Sequence, residues 1–303
     1  MDSLLNQEVL YAWSTPFFAA IIVFEIVVSF FTNMKNYAIK DTITNVYFAL
    51  LNIGLDLIMK FISFFVLGIF YQYQLVTWEN QNWLYWIFVF VFQDFLYYIH
   101  HYVDHNSRFF WAVHVTHHNS EYFNLTTGFR SPVFQPFYRY LFFIPMAAVG
   151  IAPLHIMFAY ALNQIYGTLC HTNFIKCSLG VWGELFVTPS HHRVHHASNT
   201  KYLDKNLGMV LIIWDKIFGT FQAEETFEKY EEINYGLTEN LENKGLLNSI
   251  FHEWISIYRD FFLIKKNLDF KTRLKYVFYR PGGSHDGSSK TTKELQKELM
   301  DKK

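Results

Sequence analysis

Twelve of the fourteen histidines in this 303-residue chain lie between His100 and His196. Most fall into three clusters, HHYVDH (100–105), HVTHH (114–118) and HHRVHH (191–196), with His155 and His171 standing singly between the second and third. The second and third share one pattern: a histidine, two other residues, then two histidines. Residues three and four apart lie on one face of a helix. His114, His117 and His118 are therefore expected to converge on one point, as are His192, His195 and His196, while His101 and His105 form a further i, i+4 pair. Imidazole is the commonest metal-binding side chain and suits iron, zinc, copper and nickel. The spacing predicts a polyhistidine metal centre carried on helices.

Nine histidines are candidate ligands: His101, His105, His114, His117, His118, His171, His192, His195 and His196. One tetrahedral zinc takes at most four, so nine suit two metal ions, each with four or five nitrogens and an open position. His100 and His191 could each shift its cluster by one residue, although the repeated pattern favours His192 over His191. His155 reads as an interfacial or core residue, and His252 and His285 as bystanders. A ligating histidine usually donates its other ring N–H to a carboxylate or carbonyl. Candidates for that role are Asp94, two helical turns before His101, with Asp104, Glu121, Asp204 and Asp215. An acid inside an apolar helix is costly, which makes Asp94 a functional candidate, with a helix-packing hydrogen bond as its plainer role. Tyr97, on the face shared by Asp94 and His101, and Asn163, upstream of His171, complete the candidate catalytic set; ordinary packing is the alternative for both.

Aromatics make up 20% of the chain and charged residues 17%, the latter below the usual quarter or so of soluble domains. Only Lys35, Lys40 and Lys60 are basic before residue 101; the other 22 of 25 follow. Apolar stretches at Phe17–Phe31 (interrupted by Glu25), about Asn45–Phe70 (holding Asp56 and Lys60) and about Trp83–Tyr98 (holding Asp94) read as membrane spans with their flanks. A fourth, about Phe134–Leu169, is broken by Pro145, Gly150 and Pro153 and reads as a helical hairpin. The expected fold is an all-α integral-membrane helical bundle with a histidine-rich helical cap. Its parts are a transmembrane anchor over 1–99, a metal-binding region over 100–225 that includes the hairpin (about 134–169), amphipathic peripheral helices over 226–280 and a flexible tail over 281–303. Lys35 and Lys40 between the first two spans, against no basic residue in the next loop, place the metal site on the cytoplasmic face. No cleavable signal pattern precedes the first span. Cys170 and Cys177 form no CxxC and are expected to be reduced, partly buried thiols. A net charge of −1 without a basic stripe argues against nucleic-acid binding.

These residues resemble the fatty acid hydroxylase/sterol desaturase superfamily of integral-membrane, non-haem di-iron oxygenases. The likeness runs from about Phe88 to Glu225. DFLYYIHHYVDH, WAVHVTHH (111–118) and TPSHHRVHH (188–196) look like the three histidine boxes, and DKNLGMVLIIWDKIFGTF (204–221) like the segment after the last. That segment and HHNSEYFNLTTGFR (117–130) most resemble the alkylglycerol monooxygenase branch, which hydroxylates the carbon beside an ether oxygen with a pterin as reductant. The resemblance implies two iron ions on the nine histidines, O2, and a lipid substrate: an ether lipid, fatty acyl chain, sphingolipid or sterol-like molecule. It also implies electrons from a reduced pterin, a cytochrome or a ferredoxin, since no flavin, haem or nicotinamide motif is visible. Hydroxylation is the expected reaction, and desaturation its alternative. A histidine-lined metal transporter fits less well, because most histidines follow the spans whereas transport sites lie near the midplane. A zinc hydrolase on HHRVHH would lack the HExxH arrangement.

Overall fold

The computed structural model describes residues 7–301 apart from 33, 35, 177–178, 227–228 and 265–266; Lys35 and Cys177 thus lie outside the described residues. Among the described residues there is no strand, only two isolated bridges, Phe186 with Leu211 and Ala197 with Tyr235. Two long helices open the chain, α1 (Gln7–Phe31) and α2 (Ile39–Gln72). Both are long and apolar enough to cross a membrane. At about 1.5 Å per residue, the 34 residues of α2 reach about 51 Å, well beyond a hydrocarbon core of about 30 Å. The polar residues on α2 are tied to other segments of the chain. Near its start Asn45 donates to Thr126 Oγ1 (3.0 Å) and accepts from Arg130 (2.7 Å); a little further on, Asn52 donates to the Pro132 carbonyl (2.7 Å) and Asp56 pairs with Arg139. Glu25 on α1 is tied in the same way. Its carboxylate accepts from the Leu125 amide (2.9 Å), Thr172 Oγ1 (2.5 Å) and the Tyr37 hydroxyl.

The third apolar stretch and the first histidine cluster form one unbroken helix, α3 (Trp83–Asn106), capped by Asn82. After a single extended residue, Ser107, the chain enters α4 (Arg108–His118), and a short α5 (Leu125–Gly128) follows. The broken fourth stretch consists of 3-10 turns over Gln135–Phe137 and Arg139–Phe143, then α6 (Ile144–Ala148) and α7 (Pro153–Leu169). Its reversal falls at Gly150, whose φ of +88° suits glycine and where a Cβ would sit 2.0 Å from the Val76 carbonyl oxygen. The Ala148 and Val149 carbonyls accept from the Leu75 amide (2.8 Å) and the Trp78 indole (2.9 Å), so this tip packs on the α2–α3 connection. The main core lies between α3 and α7, where Leu96, Tyr97, Met157 and Tyr160 meet Phe143 and Met146. Cys170, just past α7, is buried and free.

Beyond α8 (Val181–Leu185) come α9 (Pro189–His196), α10 (Ile213–Phe218), α11 (Leu246–Tyr258), a π-helical turn over Arg259–Ile264, α12 (Phe270–Phe278) and α13 (Thr292–Asp301). The apolar stripe of α11 faces inward: Ile250 packs with Phe48 and Val133, and Trp254 meets Phe109 of α4 edge-on at 5.2 Å. Leu247, Ile255 and Tyr258 remain exposed on its other side. Where the sequence suggests a flexible tail, α13 is a formed helix. The Thr291–Glu294 reciprocal cap starts it, and Gln296 docks it onto the Thr200 and Leu203 carbonyls (3.3 and 3.0 Å).

One side chain holds α11 and α12 against α4. Arg108 bonds Glu253 (2.6 Å), Asp260 (2.7 Å), Ser256 Oγ (2.8 Å) and the Tyr276 carbonyl (3.0 Å). Arg108→Ala strands two half-buried carboxylates and is expected to cost about 2–3 kcal/mol, discounted from the fully buried case for solvent screening. Thermal unfolding together with limited proteolysis checks this, with cleavage between residues 240 and 280 rising before the rest of the chain opens.

Candidate metal centre

Four segments deliver the imidazoles: the end of α3, the C-terminal half of α4, the second residue after α7, and α9. They gather all nine candidates into two groups whose ligand nitrogens lie within 4.8 Å of one another. One holds His101, His105, His114, His118 and His195; the other holds His117, His171, His192 and His196. The expectation that each triplet converges on a single point is corrected here. His114 and His118 join one group and His117 the other; His192 and His196 join one and His195 the other. Helical geometry gives the reason. At 3.6 residues per turn, i and i+4 differ by about 40°, whereas i+3 is turned about 60° the other way. Both helices sit between the groups, each giving a pair to one side and a single ring to the other. The groups adjoin, with the His118 and His196 rings stacked 4.5 Å apart.

The two ambiguous histidines lie outside both groups. His191 caps α9: its Nδ1 accepts from the Thr188 amide (3.3 Å) while Thr188 Oγ1 accepts from the His191 amide (3.4 Å). His100 packs on Phe142 with its Nε2 3.4 Å from Asp104. His155 bonds the Tyr85 hydroxyl (2.7 Å), His252 the Asn248 carbonyl and His285 the Tyr276 hydroxyl, all away from the centre.

Backbone carbonyls fix four rings. His101 Nδ1 donates to Leu207 (2.8 Å), His117 to Arg130 (2.9 Å), His171 to Gly167 (2.9 Å) and His195 to Lys205 (3.1 Å). A carbonyl only accepts, so the proton sits on Nδ1 and each Nε2 presents a bare lone pair. Yet His117 and His171 turn Nε2 toward Nε2 at 3.4 Å. His101 and His118 each approach His114 Nε2 at 3.1 Å, and His192 and His196 approach His171 Nε2 at 2.9 and 3.1 Å. His105 Nε2 and His195 Nε2 are buried without a hydrogen-bond partner. In the His117–His171 pair both protons are held on Nδ1, so the facing lone pairs repel, and a cation between them removes the conflict. Opposite nitrogens about 2.1 Å from one ion would stand about 4.2 Å apart, within the observed spread. The donor set fits two cations.

Carboxylates supply further support. Asp204 accepts from His105 Nδ1 (3.2 Å). Asp104, fully buried, lies 3.4 Å from His114 Nδ1 and accepts from Tyr138 (2.8 Å) and Gln135 (3.1 Å). Burial pushes its carboxyl up to about 8; an adjacent cation would draw it down. Asp94 bonds no imidazole. It accepts from the Val210 and Leu211 amides and the Trp214 indole, each at 2.9 Å. Asp215 likewise binds backbone, and Glu121 pairs with Lys244 at the surface. Tyr97 packs its ring on His101 (5.6 Å), and Asn163 is buried with its amide nitrogen unpartnered. Sequence reasoning missed the aromatic walls, Trp111 against His105 and His118 (5.2 and 5.5 Å) and Phe123 against His171 (5.5 Å). It missed Arg130 too, whose guanidinium ties Asn45 and the Thr116 carbonyl while its own carbonyl holds His117. Only the helical offset of Trp111 from His114 and His118 could have signalled any of these.

With the fold and this nitrogen-lined centre in view, residues 86–220 match the fatty acid hydroxylase family. Over a longer stretch the chain is similar to alkylglycerol monooxygenases. That of Homo sapiens is 34% identical over 281 residues, 89% of this chain and 59% of the relative. That of Danio rerio is 34% identical over 232 residues, 74% of this chain and 49% of the relative. The ornithine lipid hydroxylase OlsE of Rhizobium tropici is 31% identical over 133 residues, 43% of this chain and 40% of that protein. The chain thus spans about half to three-fifths of the length of the alkylglycerol monooxygenases it matches. No solved structure matches it.

Burial, reinforced by neighbouring rings, pushes the imidazoles of His101, His114, His118, His171, His192, His195 and His196 well below the usual histidine range. His100 is brought down to about 3, and His117 and His191 to about 4, again chiefly by burial. The folded, metal-free chain therefore holds these rings neutral at a pH where the unfolded chain takes up protons. Their contribution is fully present above the unfolded pKa of about 6.5 and is lost as pH falls toward the folded values, at about 1.4 kcal/mol per ring per pH unit. Thermal unfolding of the metal-stripped chain should be flat above about pH 7 and fall steeply below about pH 6; an unfolding temperature still unchanged near pH 5 would contradict buried neutral rings.

Proposed function

We propose that this chain is a membrane-bound, non-haem di-iron oxygenase that hydroxylates an aliphatic C–H bond of a lipid, with an ether lipid of the alkylglycerol class as its substrate. The observation that carries the reading is the pair of adjoining, buried, all-nitrogen groups of five and four imidazoles. The lipid assignment draws support from the names of the relatives, alkylglycerol monooxygenase and ornithine lipid hydroxylase. These names favour hydroxylation over desaturation, although both begin by removing hydrogen from carbon.

The net reaction joins one oxygen atom of O2 to the substrate carbon and reduces the other to water, consuming two electrons and two protons. Iron held by the nine histidines would supply dioxygen activation and C–H oxidation. The chain's own residues supply order. The Leu207, Lys205, Arg130 and Gly167 carbonyls hold protons on Nδ1 and aim the Nε2 atoms inward. Trp111 and Phe123 wall the rings from water, and the Tyr97 ring restrains His101. Electrons come from outside the described chain, from a reduced pterin, a cytochrome or a ferredoxin. The α1–α2 connection sits at the histidine end: the Asn36 carbonyl accepts from Asn124 (2.6 Å), and Asp41, beside Lys40, accepts from Ser120 (2.8 Å). A basic residue there, with none in the α2–α3 connection, supports a cytoplasmic centre.

Purified wild-type protein is expected to carry about two irons per chain, the capacity of its nine ligands. Membranes containing it, given a 1-O-alkylglycerol, O2 and a reduced pterin, should yield a fatty aldehyde as the hydroxylated ether falls apart. His195→Ala should lower that yield by about a hundredfold or more, in line with loss of a metal ligand. Iron well under two per chain, together with no O2-dependent oxidation of any lipid, would falsify the reading.

A further inference from the structure

The segment over 204–211 carries none of the nine imidazoles, yet it grips three of the five in one group. Asp204 Oδ1 accepts from His105 Nδ1 (3.2 Å), the Lys205 carbonyl from His195 Nδ1 (3.1 Å) and the Leu207 carbonyl from His101 Nδ1 (2.8 Å). The four-histidine group finds its acceptors elsewhere, at the Arg130 and Gly167 carbonyls.

The segment lies outside helix and is locally strained, with Asp204 and Asn206 both left-handed at φ +55° and +53°, a conformation that costs a non-glycine residue about 1 kcal/mol or more. Buried carboxylates hold it from two sides. Asp215 accepts from the Leu207 (2.7 Å) and Gly208 (2.8 Å) amides and from Thr220 Oγ1 (2.6 Å). Asp94, from α3, takes the Val210 and Leu211 amides and the Trp214 indole, each at 2.9 Å. Gly208 allows the close approach, since a Cβ there would lie 2.6 Å from the Leu211 carbonyl oxygen and 2.9 Å from Asp215 Oδ2. The bonds of both acids go to backbone amides, the Trp214 indole and the Thr220 hydroxyl rather than to an imidazole, so they act through the peptide between them.

We propose that Asp94 and Asp215 are positioning residues dedicated to the five-histidine group. They clamp the 204–211 backbone so that its acceptors decide which nitrogen of His101, His105 and His195 carries the proton, and where the other nitrogen points. The inference rests on the metal-centre reading above, and it divides the centre into two halves with separate supports.

The test uses the full chain in lipid nanodiscs, as wild type, Asp215→Asn, Asp94→Asn and, as control, Glu253→Gln at the Arg108 anchor. Iron(II) titration should resolve two binding events. Each aspartate variant should weaken one of them about 10–100-fold, the usual effect of losing an outer-shell partner, and leave the other within about twofold. In the metal-free chain, histidine 15N spectra of these variants should move His101 and His195 away from the Nδ1–H form. Glu253→Gln should lower thermal stability yet keep both events and both ring signals. Equal weakening of the two events, or unchanged ring signals, overturns the proposal by reducing both acids to general scaffolding. If an aspartate variant fails to fold, Trp214→Phe and Thr220→Val each remove one bond from a carboxylate; several-fold weakening confined to one event then supports the clamp, and loss from both sinks it. Should wild type bind no iron, the oxygenase reading fails, while the metal-free ring signals still judge the clamp.

Discussion

Lone pairs that face one another in a dry cavity must be reconciled by something positive, and the rest of this molecule is arranged around that demand. Protonating the rings would be the cheap solution in water. Here burial pushes most of them toward neutrality, and carbonyls occupy Nδ1 of four, leaving those Nε2 atoms with no proton to share. Each ring on its own is an ordinary buried histidine. Nine together are a standing electrostatic defect in the metal-free chain, and helix packing, caps and backbone acceptors act together to keep that defect in place. A fold stabilised only by its apolar core would relax such a cavity.

The two groups also explain why four separate helical contributions are needed. A single helix presents a sector of about 100° to a neighbour, too narrow to surround an ion. α4 and α9 therefore lie between the groups and serve both. That arrangement makes the centre one mechanical unit: moving α4 displaces ligands of both halves. Arg108 at one end of α4 and Arg130, bonded to the Thr116 carbonyl near the other, fix it from opposite sides.

Much of this was legible in the sequence, and the boundary of legibility is physical. The period of 3.6 picks out eight rings, one pair and two triplets, with His171 standing singly, and all nine come together. How a triplet divides depends on the rotation of one helix against others, which no local pattern encodes, so the single-point expectation for His114, His117 and His118 gives way to a split. His191 looks like a ligand by spacing, but its position three residues after Thr188 makes it a cap. Glu25 and Asp56 read as interruptions of apolar spans and prove to be ties to the Leu125 amide and to Arg139. The ring-setting acceptors at Arg130, Gly167, Lys205 and Leu207 could not be read at all, because a carbonyl belongs to every residue and only the fold decides where it points. The segment over 281–303 reads as a tail because its composition is polar, and within it residues 292–301 form a helix opened by the Thr291–Glu294 cap.

The length of α2 has a consequence of its own. A 34-residue apolar helix, longer than a hydrocarbon core is thick, would answer a change in that thickness by tilting. Asn45 rides near one end of that helix and holds the Arg130 guanidinium, and the Arg130 carbonyl holds His117. A change in the tilt of that helix therefore bears, through Asn45 and Arg130, on one ring of the four-histidine set.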